Sequence, residues 1–381
     1  MQSNDAETID DKLVIAGAGS GKTTYIITSS IRENTRKILV TTFTRANEAE
    51  VRSKFVKHAG YIPSHITVQT WFAFLLQHGA RPFQGSRYKG TITGLSLSSG
   101  ASAPYTKESD TVKHYLTPDH KVYSDKVAKL AIKCNELSNN AVIDRLTQIY
   151  DHIYIDEVQD MAGYDLEFIK LLIASKIEVT LVGDPRQGTY STSNSAKNKK
   201  YKKSKVVNFF EQIPSGITID DSTLNTNFRC EPTICNLSNT LFPNFKAVTA
   251  TTAQISVPHR GIFVIKASDI DDYLKEYSPM QLRERVTTKG VRTEYPVYNF
   301  GASKGLEFDR VLIYPTKAIT DWLKHQKHEN LQPTSKSKLY VAITRARLSV
   351  AFIHDDIYDD KIFQSTACTY CQCAETFAGG A

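Results

Sequence analysis

No apolar run in the 381-residue chain approaches the ~18 residues that a membrane-spanning helix requires. The opening residues, MQSNDAETIDDKLVIAG, are acidic and lack the basic region and long apolar stretch of a secretory leader. The chain is therefore expected to be cytoplasmic, with no membrane partner. Cysteine is scarce, six residues in all, which is too few for a secreted disulfide framework at this length. Neither sign of charge dominates: 47 Lys and Arg against 40 Asp and Glu leave +7, a mild lean toward a polyanionic partner. A hydrophobic share of 41% with 23% charged residues excludes disorder. At ~150 residues per domain the length suits two or three domains, each able to bury a core.

Short apolar runs alternate with helical stretches, as in βαβ units that build parallel sheets. Leu13–Ala16, Ile38–Thr41, Ile66–Val68, Ile153–Ile155 and Val179–Val182 read as buried strands of one α/β layer. Gly261–Ile265, Arg310–Tyr314 and Ser349–Ile353 read as strands of a second. Ser86 to Pro104, rich in Gly, Ser and Thr, is expected to be loop, and Asp125 to Gln148 helical, together forming an insertion in the first layer. Six lysines, Lys197, Lys199, Lys200, Lys202, Lys203 and Lys205, crowd one segment around Tyr201. Both a solvated loop and a phosphate-binding patch fit such a run.

Ala16-Gly17-Ala18-Gly19-Ser20-Gly21-Lys22-Thr23-Thr24 follows one expected strand and opens a helix, the context that makes a P-loop credible. The glycines let backbone N–H groups close around phosphates, Lys22 would reach the β- and γ-phosphates, and the Thr23 hydroxyl would bind Mg²⁺. Ala16 stands where the strict pattern has Gly. Asp156-Glu157-Val158-Gln159-Asp160 ends a second strand, making Asp156 the natural Mg²⁺ partner and Glu157 the group to hold and deprotonate water. Gly183-Asp184-Pro185-Arg186-Gln187 ends a third and presents an amide. Asn227-Phe228-Arg229 and Thr344-Arg345-Ala346-Arg347 supply guanidinium groups suited to a γ-phosphate.

The ordered set GAGSGKT, TTFTRA, TWFAFLL, DEVQD, GDPRQ, NFR, GASKGLEF and VAITRAR resembles the UvrD/Rep-like superfamily 1 helicases over most of the chain. The resemblance implies an α/β fold of two RecA-like P-loop NTPase domains with a small, mainly helical insertion in the first. The expected division is 1–85 with 150–215 as the first domain, 86–149 as the insertion, and 216–381 as the second domain with a short tail. It implies ATP and Mg²⁺ as cofactors and a 3′–5′ motor on single-stranded DNA or on duplex with a 3′ single-stranded tail. Lys22, Thr23 and Asp156 then bind phosphate and metal, Glu157 is the catalytic base, and Gln187 couples γ-phosphate to DNA. Arg229 and Arg345 are the arginine fingers, and Glu307 contacts ribose. Phe43, Thr44, Thr70, Trp71, Phe72 and Tyr190 fall on the strand-binding face, with Lys199, Lys200, Lys202 and Lys203 beside them. For Trp71, Phe72 and Phe74 core packing is the alternative, favoured for Phe74.

The chain departs from the family pattern in several places. Gln2 is the sole candidate for a glutamine that reads adenine, Thr192 stands where a second aromatic follows the tyrosine, and Gly301 replaces a histidine. The interval from Arg229 to Gly301 is too short for the large second-domain insertion, whereas that from Phe74 to Asp156 holds a small one. Weak or partner-dependent unwinding is the consequence. A second reading is a nucleotide-gated, DNA-binding regulatory subunit that licenses a nuclease or another repair or defence protein. RNA as the track is a third. Cys368, Cys371 and Cys373 lack a clear fourth zinc ligand and are expected to be free thiols.

Overall fold

The computed structural model describes residues 9–98, 100–193, 195–214, 216–251, 257–325, 327–354 and 367–369. Contacts divide the chain into two units, one of residues up to Ala16 with Gly21–Thr223, the other of Gly17–Ser20 with Leu224 onward.

In the first unit β1 (Lys12–Ile15), α1 (Lys22–Arg32), β2 (Ile38–Thr42), α2 (Arg45–Ala59) and β3 (Ile66–Thr70) follow one another. Next come α3 (Trp71–Phe74), β4 (Gly94–Ser96), α4 (Thr111–Tyr115), β5 (Lys121–Tyr123), α5 (Val127–Leu137) and α6 (Ala141–Ile149). The unit closes with β6 (His152–Ile155), α7 (Tyr164–Ile173), β7 (Glu178–Gly183), α8 (Val207–Phe210) and β8 (Thr218–Asp220). Six of these strands form one parallel sheet in the order β3-β2-β6-β7-β1-β8. Its central strands are apolar runs buried along their length, as expected of a sheet covered on both faces. The five strands expected here from sequence are all present. β8 adds a sixth beside β1, so the first sheet extends past position 215.

Two expectations need correcting in the 86–149 segment. β4 lies inside the stretch read as loop and pairs in parallel with β5, a strand of three residues too short to show alternation. The single helical stretch is split into α5 and α6 because Asn139 and Asn140 take left-handed φ values of 52° and 69°, which Asn tolerates better than most residues.

The second unit comprises β9 (Thr226–Asn227), α9 (Pro232–Thr240), β10 (Thr249–Ala250), β11 (Gly261–Ile265), α10 (Ile270–Tyr277) and β12 (Met280–Arg283). It continues with β13 (Val297–Asn299), β14 (Phe308–Tyr314), α11 (Lys317–His325), α12 (Pro333–Ile343), β15 (Ala346–Ile353) and β16 (Ala367–Thr369). Its main sheet is parallel, in the order β13-β12-β14-β15-β11-β16, over a core that includes Trp322, Tyr340 and Phe352. The described residues between Arg229 and Gly301 supply α9, β10, β11, α10, β12 and β13, and three of these strands belong to the main sheet. Among the described residues no helix is long and apolar enough to cross a membrane. Cys371, Cys373 and Gln2 lie outside the described residues.

Candidate nucleotide and nucleic-acid site

Parallel strands β6, β7 and β1 are neighbours, and Ile155 pairs with Leu181 while Ile15 pairs with Gly183. The loops that follow them therefore leave one edge of the sheet within about two strand spacings, ~10 Å. Those loops are the P-loop, the DEVQD segment and the GDPRQ segment. Ligands of open α/β sheets bind at this carboxyl edge.

Gly21 precedes α1 in the left-handed region, with φ 81° and ψ 29°, and no side chain caps the helix. No acidic residue lies in its first turn. The helix N-terminus thus keeps N–H groups and a positive dipole end for an anion. Among the described residues the Lys22 ammonium has no hydrogen-bond or ion-pair partner. Within the loop, Ser20 N and Oγ donate to Gly17 O at 3.3 and 2.8 Å. A phosphate group fits this uncapped, lysine-bearing cradle, and the Thr23 hydroxyl and the buried Asp156 carboxylate are oxygen donors suited to Mg²⁺.

Glu157 follows Asp156 in a left-handed conformation, φ 57° and ψ 41°. For a residue with a side chain that costs about 1–2 kcal/mol, and such strain concentrates at working sites. Gln159 donates to its carboxylate, and Asp156 Oδ1 accepts from Glu157 N at 2.8 Å. Gln187 is buried and donates to Asp184 Oδ2 at 2.8 Å. Sequence reasoning passed over two residues here. Asp184 is fully buried and receives Arg186 Nε at 2.7 Å, and Arg186 Nη2 reaches Ala16 O at 2.9 Å, tying the GDPRQ turn to the start of the P-loop. The available signal was a carboxylate and a guanidinium placed directly after an apolar strand.

In the second unit Arg229 Nε donates to Glu307 Oε1 at 2.8 Å, and Nη1 donates to Thr344 O at 3.2 Å. The arginine beside Glu307 holds that carboxyl below its ordinary range against the opposing effect of burial. Arg345 is only 2% exposed and donates to Val341 O at 3.2 Å and Leu306 O at 3.1 Å. Through the second of these bonds it braces the GASKGLEF turn. Phe228, between Asn227 and Arg229, is 68% exposed, an unforeseen ring in a motif read for its arginine.

The expected strand-binding residues separate into two groups. Tyr190 is 46% exposed, and Phe43 is half-buried in an edge-on contact with Phe72, ring centroids 5.6 Å apart. Thr44 and Thr70 cap α2 and α3, accepting from Asn47 N at 3.1 Å and Ala73 N at 3.3 Å. Trp71 corrects the expectation: it has no exposed surface, its Nε1 donates to Asp165 Oδ1 at 2.7 Å, and Phe74 and Phe168 pack against it. A ring so enclosed does not stack on a base. Phe72 is also largely buried. Thr192 is buried as well, accepting from Ala162 N at 2.9 Å, so position 192 does not face a strand at all.

The lysine segment is folded rather than loose. Lys202 Nζ donates to Ser193 O at 2.6 Å, and burial together with Lys199 and Lys203 lowers its pKa. Lys200 lies over the Tyr201 ring at 4.7 Å, and Lys197 pairs with Glu167 at 3.3 Å. Lys199, Lys200 and Lys205 are exposed, whereas Lys202 is committed to a carbonyl.

Residues 116–354 match the viral superfamily 1 RNA helicase core domain, and residues 6–193 match an AAA domain. The chain belongs to the superfamily 1 helicases. Over 108 residues it is 31% identical to a probable DNA helicase II homolog of Mycoplasma capricolum subsp. capricolum, covering 28% of this chain and 14% of that protein. Over 244 residues it is 28% identical to Gabija protein GajB of Bacillus cereus, covering 60% of this chain and 45% of that protein. The chain thus spans less than half the length of these two relatives. A solved arterivirus nonstructural protein 10 helicase superposes with a TM-score of 0.45 at 14% identity, over 93% of this chain and 62% of that one.

Proposed function

We propose that the chain is an ATP-dependent translocase and helicase that moves 3′ to 5′ on single-stranded DNA. The observation that carries the ATP half of this reading is the convergence of three motif loops on one edge of β6, β7 and β1. In this reading the uncapped N-terminus of α1 and Lys22 bind the ATP phosphates, and Thr23 and Asp156 hold Mg²⁺. The bound ion neutralises developing phosphate charge. Glu157 orients the attacking water and takes its proton, and Gln187 senses the γ-phosphate. Arg229 is the first proposed arginine finger, suited to transition-state charge, and Glu307 the proposed ribose contact. The exposed Phe228 ring suits a base. Arg345 braces the turn that carries Glu307 and is the second proposed arginine finger.

Phe43, Thr44 and Tyr190, with Lys199, Lys200 and Lys203, form the proposed DNA face. Exposed rings stack on bases without reading sequence, and ammonium groups neutralise phosphates. DNA rather than RNA is favoured by the KGLEF and TRAR motifs and by the helicase II relative, although the matched core domain is described from viral RNA helicases. Residues 86–149 are proposed as the accessory insertion. A second reading, a subunit that licenses a nuclease or a repair or defence partner with little unwinding of its own, is favoured by the missing second-domain insertion.

Displacement of streptavidin from biotinylated strands tests polarity. The reading expects ATP-dependent release from the 5′ end of single-stranded DNA, and none from the 3′ end. Release from the 3′ end alone contradicts the polarity, and faster release from RNA than from DNA contradicts the track.

A further inference from the structure

Gln159 sits in the turn Val158–Asp160 with no exposed surface. Its Oε1 accepts from the backbone N–H of Asp184 at 3.1 Å. A backbone N–H only donates, so the atom it meets is the amide oxygen, and the NH₂ is turned by necessity toward the Glu157 carboxylate, which accepts from it. Gly183 makes room for this arrangement. A Cβ there would collide with the Gln159 amide oxygen and lie 2.8 Å from Val158 Cγ1. Asp184 continues the chain of hydrogen bonds, its carboxylate receiving Gln187 Nε2 at 2.8 Å and Arg186 Nε at 2.7 Å. One buried amide therefore joins the DEVQD turn to the GDPRQ turn.

We propose that Gln159 is a positioning residue for ATP hydrolysis, aiming the Glu157 carboxylate and fixing it to the loop that carries Gln187. The proposal rests on the hydrolytic reading above and adds a residue that reading does not use. A glutamate has three side-chain torsions, and the left-handed backbone at Glu157 sets only the start of its path. The Gln159 donor restrains the far end. A general base misplaced by ~1 Å forfeits up to about 10²-fold in rate. The same restraint makes the base and the γ-phosphate sensor move together, because the Asp184 backbone that orients Gln159 belongs to the residue whose carboxylate holds Gln187.

The test is steady-state ATP hydrolysis at saturating single-stranded DNA for wild type, Gln159→Met, Glu157→Gln and the double variant. Methionine keeps the volume and removes both hydrogen bonds. We expect kcat to fall about 10- to 100-fold in Gln159→Met, with KM for ATP changed less than about 3-fold. On the Glu157→Gln background the same replacement should cost nothing further, since residues that act as a unit are not additive. Gly183→Ala, which presses on the amide from outside, should reproduce the kcat loss and serves if Gln159→Met does not fold. An unchanged kcat in both variants, or an equal fractional loss on both backgrounds, overturns the proposal. A wild-type chain that binds ATP without hydrolysing it defeats the reaction itself, a result distinct from an active wild type indifferent to Gln159.

Discussion

Replacing Trp71 by Phe separates a core role from a strand-binding one. The indole N–H donates to Asp165 at 2.7 Å, and burial pushes that carboxyl up to about 6 although Thr192 and Trp71 both donate to it. Phenylalanine cannot donate. Losing a hydrogen bond to a buried acid costs about 1.5–3 kcal/mol. The missing part of the indole leaves a void of about 40 Å³, worth ~1 kcal/mol at the usual cavity coefficient. Together the expected loss is ~3 kcal/mol, a large part of a typical ~5–15 kcal/mol of stability. Urea unfolding followed by far-ultraviolet circular dichroism reads it, because fluorescence would be confounded with only two tryptophans in the chain. Fluorescence anisotropy with a labelled oligonucleotide reads DNA affinity, expected within about 2-fold of wild type. Tyr190→Ala is the contrast: stability within ~0.5 kcal/mol, and Kd weakened about 5- to 150-fold if one base loses ~1–3 kcal/mol of stacking. A Trp71→Phe variant of native stability with DNA affinity reduced tenfold would refute the reasoning.

Two further outcomes are expected. His78 is buried against Arg145 Nη1, 3.0 Å from Nδ1, and burial, then Arg145, lowers its pKa to about 4 from 6.5. The unfolded chain takes up the proton first as pH falls, so this group's stabilising effect is complete above about 6.5 and is lost progressively down to about 4, at no more than ~1.4 kcal/mol per pH unit. Urea midpoints at pH 7 and pH 5 should differ less in His78→Phe than in wild type. An equal difference would show that His78 does not set the slope. Lys199→Gln with Lys200→Gln should lower the slope of log affinity for single-stranded DNA against log salt by up to about 1.4, at ~0.7 per phosphate contact, while Lys202→Gln changes the slope little. Equal effects from all three would contradict the commitment of Lys202 to the Ser193 carbonyl.

Much of the fold was legible because the central strands are short, largely apolar and β-branched runs, a pattern that burial on both faces of a parallel sheet favours. The site was legible for a related reason, since its loops directly follow those runs. What escaped the sequence is set by three-dimensional neighbours. β4 is held by β5 across a long interval, and nothing in Gly94-Leu95-Ser96 announces that pairing. Trp71 carries the right chemistry for a strand contact but points inward, toward Asp165. The Arg229–Glu307 ion pair joins two motifs far apart in the chain, each readable alone as a nucleotide contact. Gln159, Asp184 and Arg186 looked like spacers between residues with assigned roles, and the hydrogen bonds that link them appear only once β6 and β7 are side by side.

In the proposed function these loops form an ATPase driven by single-stranded DNA. Phosphate release by the purified chain, with and without a single-stranded oligonucleotide and alongside Lys22→Ala, tests it most directly. DNA-stimulated hydrolysis is expected, abolished by Lys22→Ala without a change in melting temperature. Hydrolysis indifferent to DNA and to Lys22→Ala would contradict it.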